Sequence, residues 1–123
     1  MAVVTDKDNK IQNVTSAQLA RIFKGETRKW PDGRAIVLVL HQSSNDEVST
    51  LSRLTKMTAT EFKAMMAEHK EAIRRVVTDA DLIEAVSTTP GAVGLVEERS
   101  INDRVTVIKV DGKLPLEAGY LPH

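Results

Sequence analysis

The sequence of 123 residues contains no cysteine. This absence excludes a disulfide framework, a thiolate nucleophile and any zinc site built on cysteine. It does not identify the compartment, because cysteine-free chains occur on both sides of a membrane. The three histidines, His41, His69 and His123, lie far apart and lack the i, i+4 spacing of metal-binding helices. We therefore predict no metal site.

Neither sign of charge is in excess, since 17 Lys and Arg oppose 17 Asp and Glu. Nucleic-acid-binding domains usually show a basic excess or a basic stripe, so we expect no nucleic-acid partner. No apolar run approaches the roughly 18 residues of a membrane span. The longest run, from Ala35 to Leu40, has only the length of a strand. The first residues, from Met1 to Asp6, also lack the pattern of a signal peptide.

Motifs typical of catalysis are also missing. The sequence has no Gly-x-Ser-x-Gly elbow, no glycine-rich phosphate loop and no His-Glu-x-x-His pair. The carboxylate pairs Asp79/Asp81 and Glu97/Glu98 have spacings that favour helix capping and surface exposure over acid–base chemistry. An enzyme would need titratable groups that converge in a pocket, and the sequence predicts none. We therefore expect no enzymatic activity and no cofactor.

Four helices are predicted from their start signals, each a hydroxyl residue followed three residues later by Gln, Glu or Asp. The pairs are Thr15 with Gln18, Ser44 with Glu47, Thr58 with Glu61, and Thr78 with Asp81. Apolar residues at helical spacing follow each start. The predicted apolar stripes are Leu19, Ile22 and Phe23; Val48, Leu51 and Leu54; Phe62, Met65 and Met66; and Leu82, Ile83 and Val86.

Short apolar segments between these helices predict strands at residues 3–4, 35–40, 75–77, 92–96 and 105–110. Asp111-Gly112 follows the last of them and is a strong hairpin-turn signal. Trp30 is the only tryptophan, and we expect it to pack in the core or at its rim. Helices that alternate with buried strands predict an α/β fold with a layered sheet flanked by helices. The length predicts a single domain over residues 1–123.

Several segments of the sequence resemble, in the same order, segments of the phosphate-type periplasmic binding proteins. The stretch 14–25 ends in Ile22-Phe23-Lys24-Gly25, similar to the Ile-Phe-x-Gly helix end of that family, and Trp30-Pro31-Asp32-Gly33 is similar to its Trp-x-Asp-Gly turn. The stretch 89–96 resembles the family's Pro-Gly-Ala-Ile-Gly-Tyr-Val strand. The stretches 110–115 and 119–122 resemble its exit segment.

This resemblance implies one lobe of a type II binding-protein fold, in which two α/β lobes close on a small ligand. It also implies a periplasmic or other extracytoplasmic location. The expected partners are an ABC transporter permease or a second lobe, and a small anion such as phosphate. A lobe separated from its partner exposes an apolar face, so a homodimer is an alternative way to cover that face.

The resemblance also suggests where a ligand would bind. The family has a Ser-Gly-Thr-Arg type motif after the strand that corresponds to residues 35–40, whereas residues 41–47 here retain only serine character. Amide and hydroxyl groups at a helix start bind anions. The candidate ligand-binding residues are Thr15, Ser16, Ser43, Ser44 and Asn45. Capping alone is the other interpretation of these residues.

Two features bear on this candidate site. Asp46 and Glu47 fall in the first turn of the second helix, where they would repel a bound anion. The segment Thr88-Thr89-Pro90-Gly91 is a further candidate lining of the cleft, although Pro-Gly is explained equally well as a turn. We therefore predict a solute-binding lobe that holds a small anion or polar solute at helix N-termini. The alternative is a ligand-free sensory or protein-interaction module built on the same lobe.

Overall fold

The computed structural model describes residues 1–115, 117 and 120. Its strands are β1 (Ala2–Asp6), β2 (Asn13–Val14), β3 (Val37–His41), β4 (Ile73–Val76), β5 (Ala92–Val96), β6 (Val105–Val107) and β7 (Lys109–Val110). Its α-helices are α1 (Ser16–Phe23), α2 (Asn45–Thr55), α3 (Ala59–Glu68) and α4 (Asp79–Thr88). Two short 3-10 helices lie at Lys70–Ala72 and Glu98–Ser100. The predicted α/β architecture is confirmed.

A mixed five-stranded sheet forms the middle layer, with the strand order β4-β3-β5-β1-β6. Strand β3 runs parallel to β4 and β5, whereas β1 runs antiparallel to both β5 and β6. The ends of β3, β4 and β5 therefore meet at one edge of the sheet, which we call the carboxyl edge. Their beginnings lie with the end of β1 at the opposite amino edge. Strands β2 and β7 form a separate parallel pair.

Two apolar clusters cover the two faces of the sheet. Because side chains alternate along a strand, neighbouring residues contribute to opposite clusters. Leu38 and Leu40 of β3 join the cluster that includes residues of α1 and α2, whereas Val39 joins the cluster built on α4. This two-sided burial explains why the apolar segments 35–40 and 92–96 are unbroken.

The predicted helix starts are largely confirmed. Thr15 and Thr58 each form a reciprocal capping box, and Thr78 caps α4 by accepting a hydrogen bond from the amide of Asp81. The box predicted at Ser44 is only half correct. The Ser44 hydroxyl accepts the amide of Glu47 at 3.2 Å, but the Glu47 carboxylate binds His41 and does not return to the amide of Ser44.

Some predicted apolar stripes are only partly buried. Val48 of α2 is 55% exposed, and α3 buries only Met65 of its three predicted residues. Strand β4 begins two residues earlier than predicted and ends before Val77, which is 66% exposed. In contrast, the α4 stripe and the strand at residues 92–96 match the prediction.

The single tryptophan is a core residue, as predicted. Trp30 is 3% exposed, and its indole Nε1 donates a hydrogen bond to the carbonyl oxygen of Gly91 at 2.9 Å. Gly91 has a φ of +84°, and a Cβ atom there would collide with the carbonyl oxygen of Ala35. A glycine is therefore required where the loop after α4 turns into β5.

The predicted extended tail lies largely outside the described residues, which exclude residues 116, 118, 119 and 121–123. Tyr120 is described and buried. Its hydroxyl donates to the carbonyl oxygen of Ile108 at 2.5 Å and accepts from the amide of Val3 at 3.1 Å. Burial raises the pKa of Tyr120 to about 12. Within the described part of the chain, no helix has the length and apolarity needed to cross a membrane.

Candidate functional site

Three helices begin at the carboxyl edge of the sheet. Helix α2 follows the end of β3, and α4 follows the end of β4. Strand β6 runs in the same direction as β3 and β5, and β7 continues it towards the carboxyl edge. Strand β2 is parallel to β7, so helix α1, which follows β2, also begins at this edge. The first amides of a helix lack intrahelical partners and carry a partial positive charge. The fold therefore brings several hydrogen-bond donors to one edge.

The predicted site residues of the second helix lie together in the loop after β3. Ser44 is half-buried and caps α2, while Ser43 and Asn45 are exposed on either side of it. The Ser44 hydroxyl is used by the amide of Glu47. The amides of Asn45 and Asp46 lie in the first turn, where the helix itself supplies no acceptor.

The other two predicted site residues lie at the start of α1. Both the hydroxyl and the amide of Thr15 are hydrogen-bonded to Gln18, at 3.0 Å and 2.8 Å. The amide of Ser16 donates to Asp111 Oδ1 at 3.0 Å. A carboxylate of the chain itself therefore already binds at this helix start. The Thr88–Gly91 segment lies at the amino edge, so its predicted place beside the same cleft is wrong.

A buried histidine forms the centre of the carboxyl edge. The imidazole of His41 lies between two carboxylates, with Nδ1 at 3.0 Å from Glu47 Oε1 and Nε2 at 2.7 Å from Asp79 Oδ1. The His41 amide also donates to Glu47 Oε2 at 2.9 Å. His41 is 9% exposed and Glu47 is 2% exposed. These contacts join the end of β3 to the starts of α2 and α4.

The same network extends to the segment after β5. Asp79 Oδ2 accepts the hydroxyl of Ser100 at 2.7 Å and the amide of Glu97 at 3.1 Å. Ser100 therefore contacts the carboxylate and not the imidazole, which differs from a nucleophilic triad in which the base activates a hydroxyl. The arrangement joins β3, α2, α4 and the segment after β5, and the imidazole does not activate the Ser100 hydroxyl.

The charges in this network shift the pKa values of its members. Burial lowers the pKa of His41, but the hydrogen bonds and charges of Glu47 and Asp79 outweigh it, so that the pKa is raised above 6.5. Burial raises the pKa of Glu47 even though His41 opposes this effect. The pKa of Asp79 is lowered, because its hydrogen bonds and the nearby imidazole outweigh burial. A charged His41 is therefore the favoured state at mildly acidic pH.

No local pattern in the sequence predicts this network. The spacing of Asp79 favours only capping or surface exposure, and the position of His41 bears only on the prediction that there is no metal site. The two residues are 38 positions apart, and the parallel pairing of β3 with β4 brings them together. The sequence contains a weak signal, since a histidine ends an apolar strand and acidic residues lie in the first turn of each of two helices.

A cleft of about 730 Å³ opens on the same edge, beside α2. Its charged lining consists of Asp46, Arg53, Glu97, Glu98 and Arg99. Arg99 is paired with Glu97 at 2.6 Å. None of the five predicted site residues lines this cleft, although Asp46 directly follows Asn45. The carboxylates of this lining can accept hydrogen bonds from a solute, and its guanidinium groups can donate them. Among the residues that the structure describes, no cluster of His, Asp or Glu could hold a metal ion.

Known structures share this fold. An ABC-type phosphate transport receptor from Vibrio cholerae matches with a TM-score of 0.76 and 20% identity, over 93% of this chain and 47% of that one. PstS from Borrelia burgdorferi matches with a TM-score of 0.74 and 23% identity, over 93% of this chain and 48% of that one. The chain thus spans less than half the length of these structures.

A family model confirms the resemblance at the level of sequence. The model is described as a PBP superfamily domain, and it matches residues 1–119. No curated protein matches the sequence significantly. Together with the structural matches, this model confirms that the chain resembles the phosphate-type binding proteins over about half of their length. The chain belongs to the PBP superfamily domain family.

Proposed function

We propose that this chain is one ligand-binding lobe of a solute-binding protein that serves an ABC transporter outside the cytoplasm. Residues 1–123 would form this single lobe, and a second lobe would close over its carboxyl edge. The solute, a small anion or polar molecule, would bind the helix starts through Thr15, Ser16, Ser43, Ser44 and Asn45. The lobe would bind and release its solute unchanged and would not act as an enzyme.

The observation that carries this proposal is the convergence of three helix starts at one edge of a family-type sheet. Such an edge provides amide and hydroxyl donors in a fixed arrangement. The neighbour from Vibrio cholerae is an ABC-type phosphate transport receptor, and a neighbour from Clostridium perfringens was solved with bound phosphate. Anion binding at this edge is therefore chemically reasonable for the fold.

The carboxylates near the helix starts favour one class of solute over another. Each of the three helix starts has a carboxylate nearby: Asp111 at α1, Asp46 and Glu47 at α2, and Asp79 at α4. These groups would repel a doubly charged oxyanion and would compete with it for the amides. Within the proposed class, a neutral or weakly charged polar solute suits the edge better than phosphate does.

A thermal-shift titration tests the proposal directly. Phosphate, sulfate and molybdate would be compared with a panel of neutral polyols and amino acids. Binding to the folded state alone raises the free energy of unfolding by about 2.7 kcal/mol when the ligand is at a hundredfold excess over Kd. We expect a shift with a member of the neutral panel and a smaller shift, or none, with the oxyanions.

A matched pair of variants locates the site. Ser44 and Thr58 are both N-cap residues that accept one helix amide, but only Ser44 lies in the loop at the carboxyl edge. Ser44→Ala should weaken solute binding, whereas Thr58→Ala should leave the affinity unchanged. Equal affinities in both variants would exclude Ser44 from the site.

A ligand-free interaction module is the second candidate function. Carboxylates of the chain itself favour it, because Asp111 already accepts the amide of Ser16 at α1, while Glu47 and Asp79 at the starts of α2 and α4 are bound to His41. In that case no solute in the panel would shift the unfolding temperature. Sedimentation equilibrium would then be expected to show a dimer, formed through the surface that a second lobe would otherwise cover.

A further inference from the structure

An apolar pocket lies on the other side of α2 from the cleft at the carboxyl edge. Its volume is about 260 Å³, and it lies between the end of β3, α2 and α3. We call it the α2–α3 pocket. Its apolar lining residues are Leu40, Val48, Leu51, Met57, Ala59, Phe62 and Met66. None of the five proposed solute-binding residues lines this pocket, although His41, Gln42 and Glu47 of the same loop and helix start do.

Most of the apolar side chains that line this pocket are buried or half-buried. Leu40 and Leu51 are buried, Met57, Phe62 and Met66 are half-buried, and Val48 and Ala59 are exposed. A flat protein surface could not reach the buried part, whereas a narrow hydrocarbon chain could. The volume lies below the range of roughly 300–1,000 Å³ that is typical of pockets for drug-sized ligands. The occupant should therefore be small.

Two cations border this pocket. Lys63 and Arg75 line it and are both exposed, and neither takes part in an ion pair within the part of the chain that the structure describes. One Arg75 nitrogen donates to the carbonyl oxygen of Gln42 at 3.2 Å, which leaves further guanidinium donors. The one carboxylate among the described lining residues, Glu47, is paired with His41. A basic rim around an apolar interior is complementary to an amphipathic anion.

We propose that the α2–α3 pocket binds a small carboxylate with an aliphatic chain. The chain would lie against Leu51, Phe62 and Met66, and the carboxylate would face Lys63 and Arg75. Apolar burial would supply most of the affinity, and the charges would orient the ligand. This site uses none of the five proposed solute-binding residues, but it shares His41 and Glu47 with the network at the carboxyl edge.

Methionine methyl groups make the test specific to this pocket. With 13C-labelled methionine, octanoate added below its micelle concentration should shift the methyl signals of Met57 and Met66. Met1 lines the cleft at the carboxyl edge and serves as the internal control, so its signal should not move. 1-Octanol has the same chain without the charge and should bind about 1.5-fold to fivefold more weakly, as expected for an exposed ion pair.

Three variants complete the test. Arg75→Gln should weaken octanoate binding up to about fivefold and leave 1-octanol binding unchanged, whereas Arg53→Gln, in the cleft, should change neither. Val48→Glu places a carboxylate at the exposed mouth and should weaken octanoate further without unfolding the chain. Equal affinity for octanoate and 1-octanol, a shift of Met1 alone, no shift of any methyl group, or a dimer that buries Val48 would each overturn the proposal.

Discussion

The two edges of the sheet each contain a buried carboxylate, but its partners differ in kind. At the amino edge, Asp6 is 4% exposed, accepts the amide of Gly91 at 3.1 Å and pairs with Arg34 at 3.3 Å. Neither partner titrates at ordinary pH, since one is a backbone amide and the other a guanidinium. At the carboxyl edge, the corresponding partner is the imidazole of His41.

The linkage through Asp6 therefore does not depend on the charge of a histidine, and we call it the permanent linkage. The linkage through His41 depends on that charge, and we call it the conditional linkage. The contacts of Asp6 hold the end of β1, the Trp30–Arg34 turn and the start of β5, and neither the guanidinium nor the backbone amide changes its charge between pH 6 and pH 9. The contacts of His41 are strongest only when the imidazole is charged, because Glu47 and Asp79 are both carboxylates. The edge at which the helices begin is therefore the one whose cohesion depends on pH.

The largest effect is expected from breaking the permanent linkage. Asp6→Ala leaves the Arg34 guanidinium and the Gly91 amide without their buried acceptor, and should lower the free energy of unfolding by about 3 kcal/mol. Urea unfolding should show the same loss at pH 6 and pH 9. The control, Asp8→Ala, changes an exposed side chain and should stay within about 0.5 kcal/mol. If the loss of unfolding free energy in Asp6→Ala differed strongly between pH 6 and pH 9, the proposed difference between the two edges would be wrong.

A somewhat smaller effect is expected from the conditional linkage. His41→Gln keeps hydrogen-bonding capacity but removes the charge between Glu47 and Asp79, and should cost about 2 kcal/mol at pH 6. The wild-type imidazole loses its charge as the pH rises through its raised pKa, so the variant and the wild type should differ less at pH 9 than at pH 6. If the difference were as large at pH 9 as at pH 6, His41 would contribute through shape rather than charge.

The wild-type protein should show the corresponding pH profile. A histidine whose folded pKa is raised contributes stability below its unfolded value of 6.5, and this contribution is lost as the pH rises through the folded pKa. The free energy of unfolding should therefore fall above pH 6.5, and His41→Gln should flatten that slope. Asp79 has the opposite sign, since its lowered pKa stabilises the fold above 3.8 and this contribution is lost in acid. An NMR titration of the His41 ring tests the assignment.

The smallest effect concerns a helix cap at the carboxyl edge. Ser44→Ala removes one acceptor for the amide of Glu47 and should cost about 1 kcal/mol. Thr58→Ala removes both a cap and half of a reciprocal box, so its cost should be equal or slightly larger. Thermal unfolding of the two variants side by side measures the difference. A clearly larger loss for Ser44 would mean that the cap also supports the His41 network.

Much of the fold was predictable because its signals are local. Thr15, Thr58 and Thr78 begin helices by binding amides only three residues away, so sequence spacing alone reveals them. Two predictions failed where tertiary contacts override the local pattern. Glu47 turns from its expected partner at Ser44 to His41, and Val48 remains exposed because α3 leaves a pocket beside it.

The candidate site was predictable only in part. The resemblance correctly placed Ser43, Ser44 and Asn45 in the loop after an apolar strand, and whether they bind a solute remains a prediction. The partners of His41 were not predictable, because no local pattern links it to Asp79. The same holds for Asp111, which reaches the start of α1 from 95 residues away.

The sequence by itself determined where the helices start and which strands are buried, because capping bonds and side-chain alternation act over a few residues. It also determined the family, through segments that occur in order along the chain. Only the tertiary structure decided that β1 runs antiparallel to β5 and which carboxylates lie at each edge. The pairing of strands brings residues together from distant positions, and the charge that results at His41 depends on that proximity and burial.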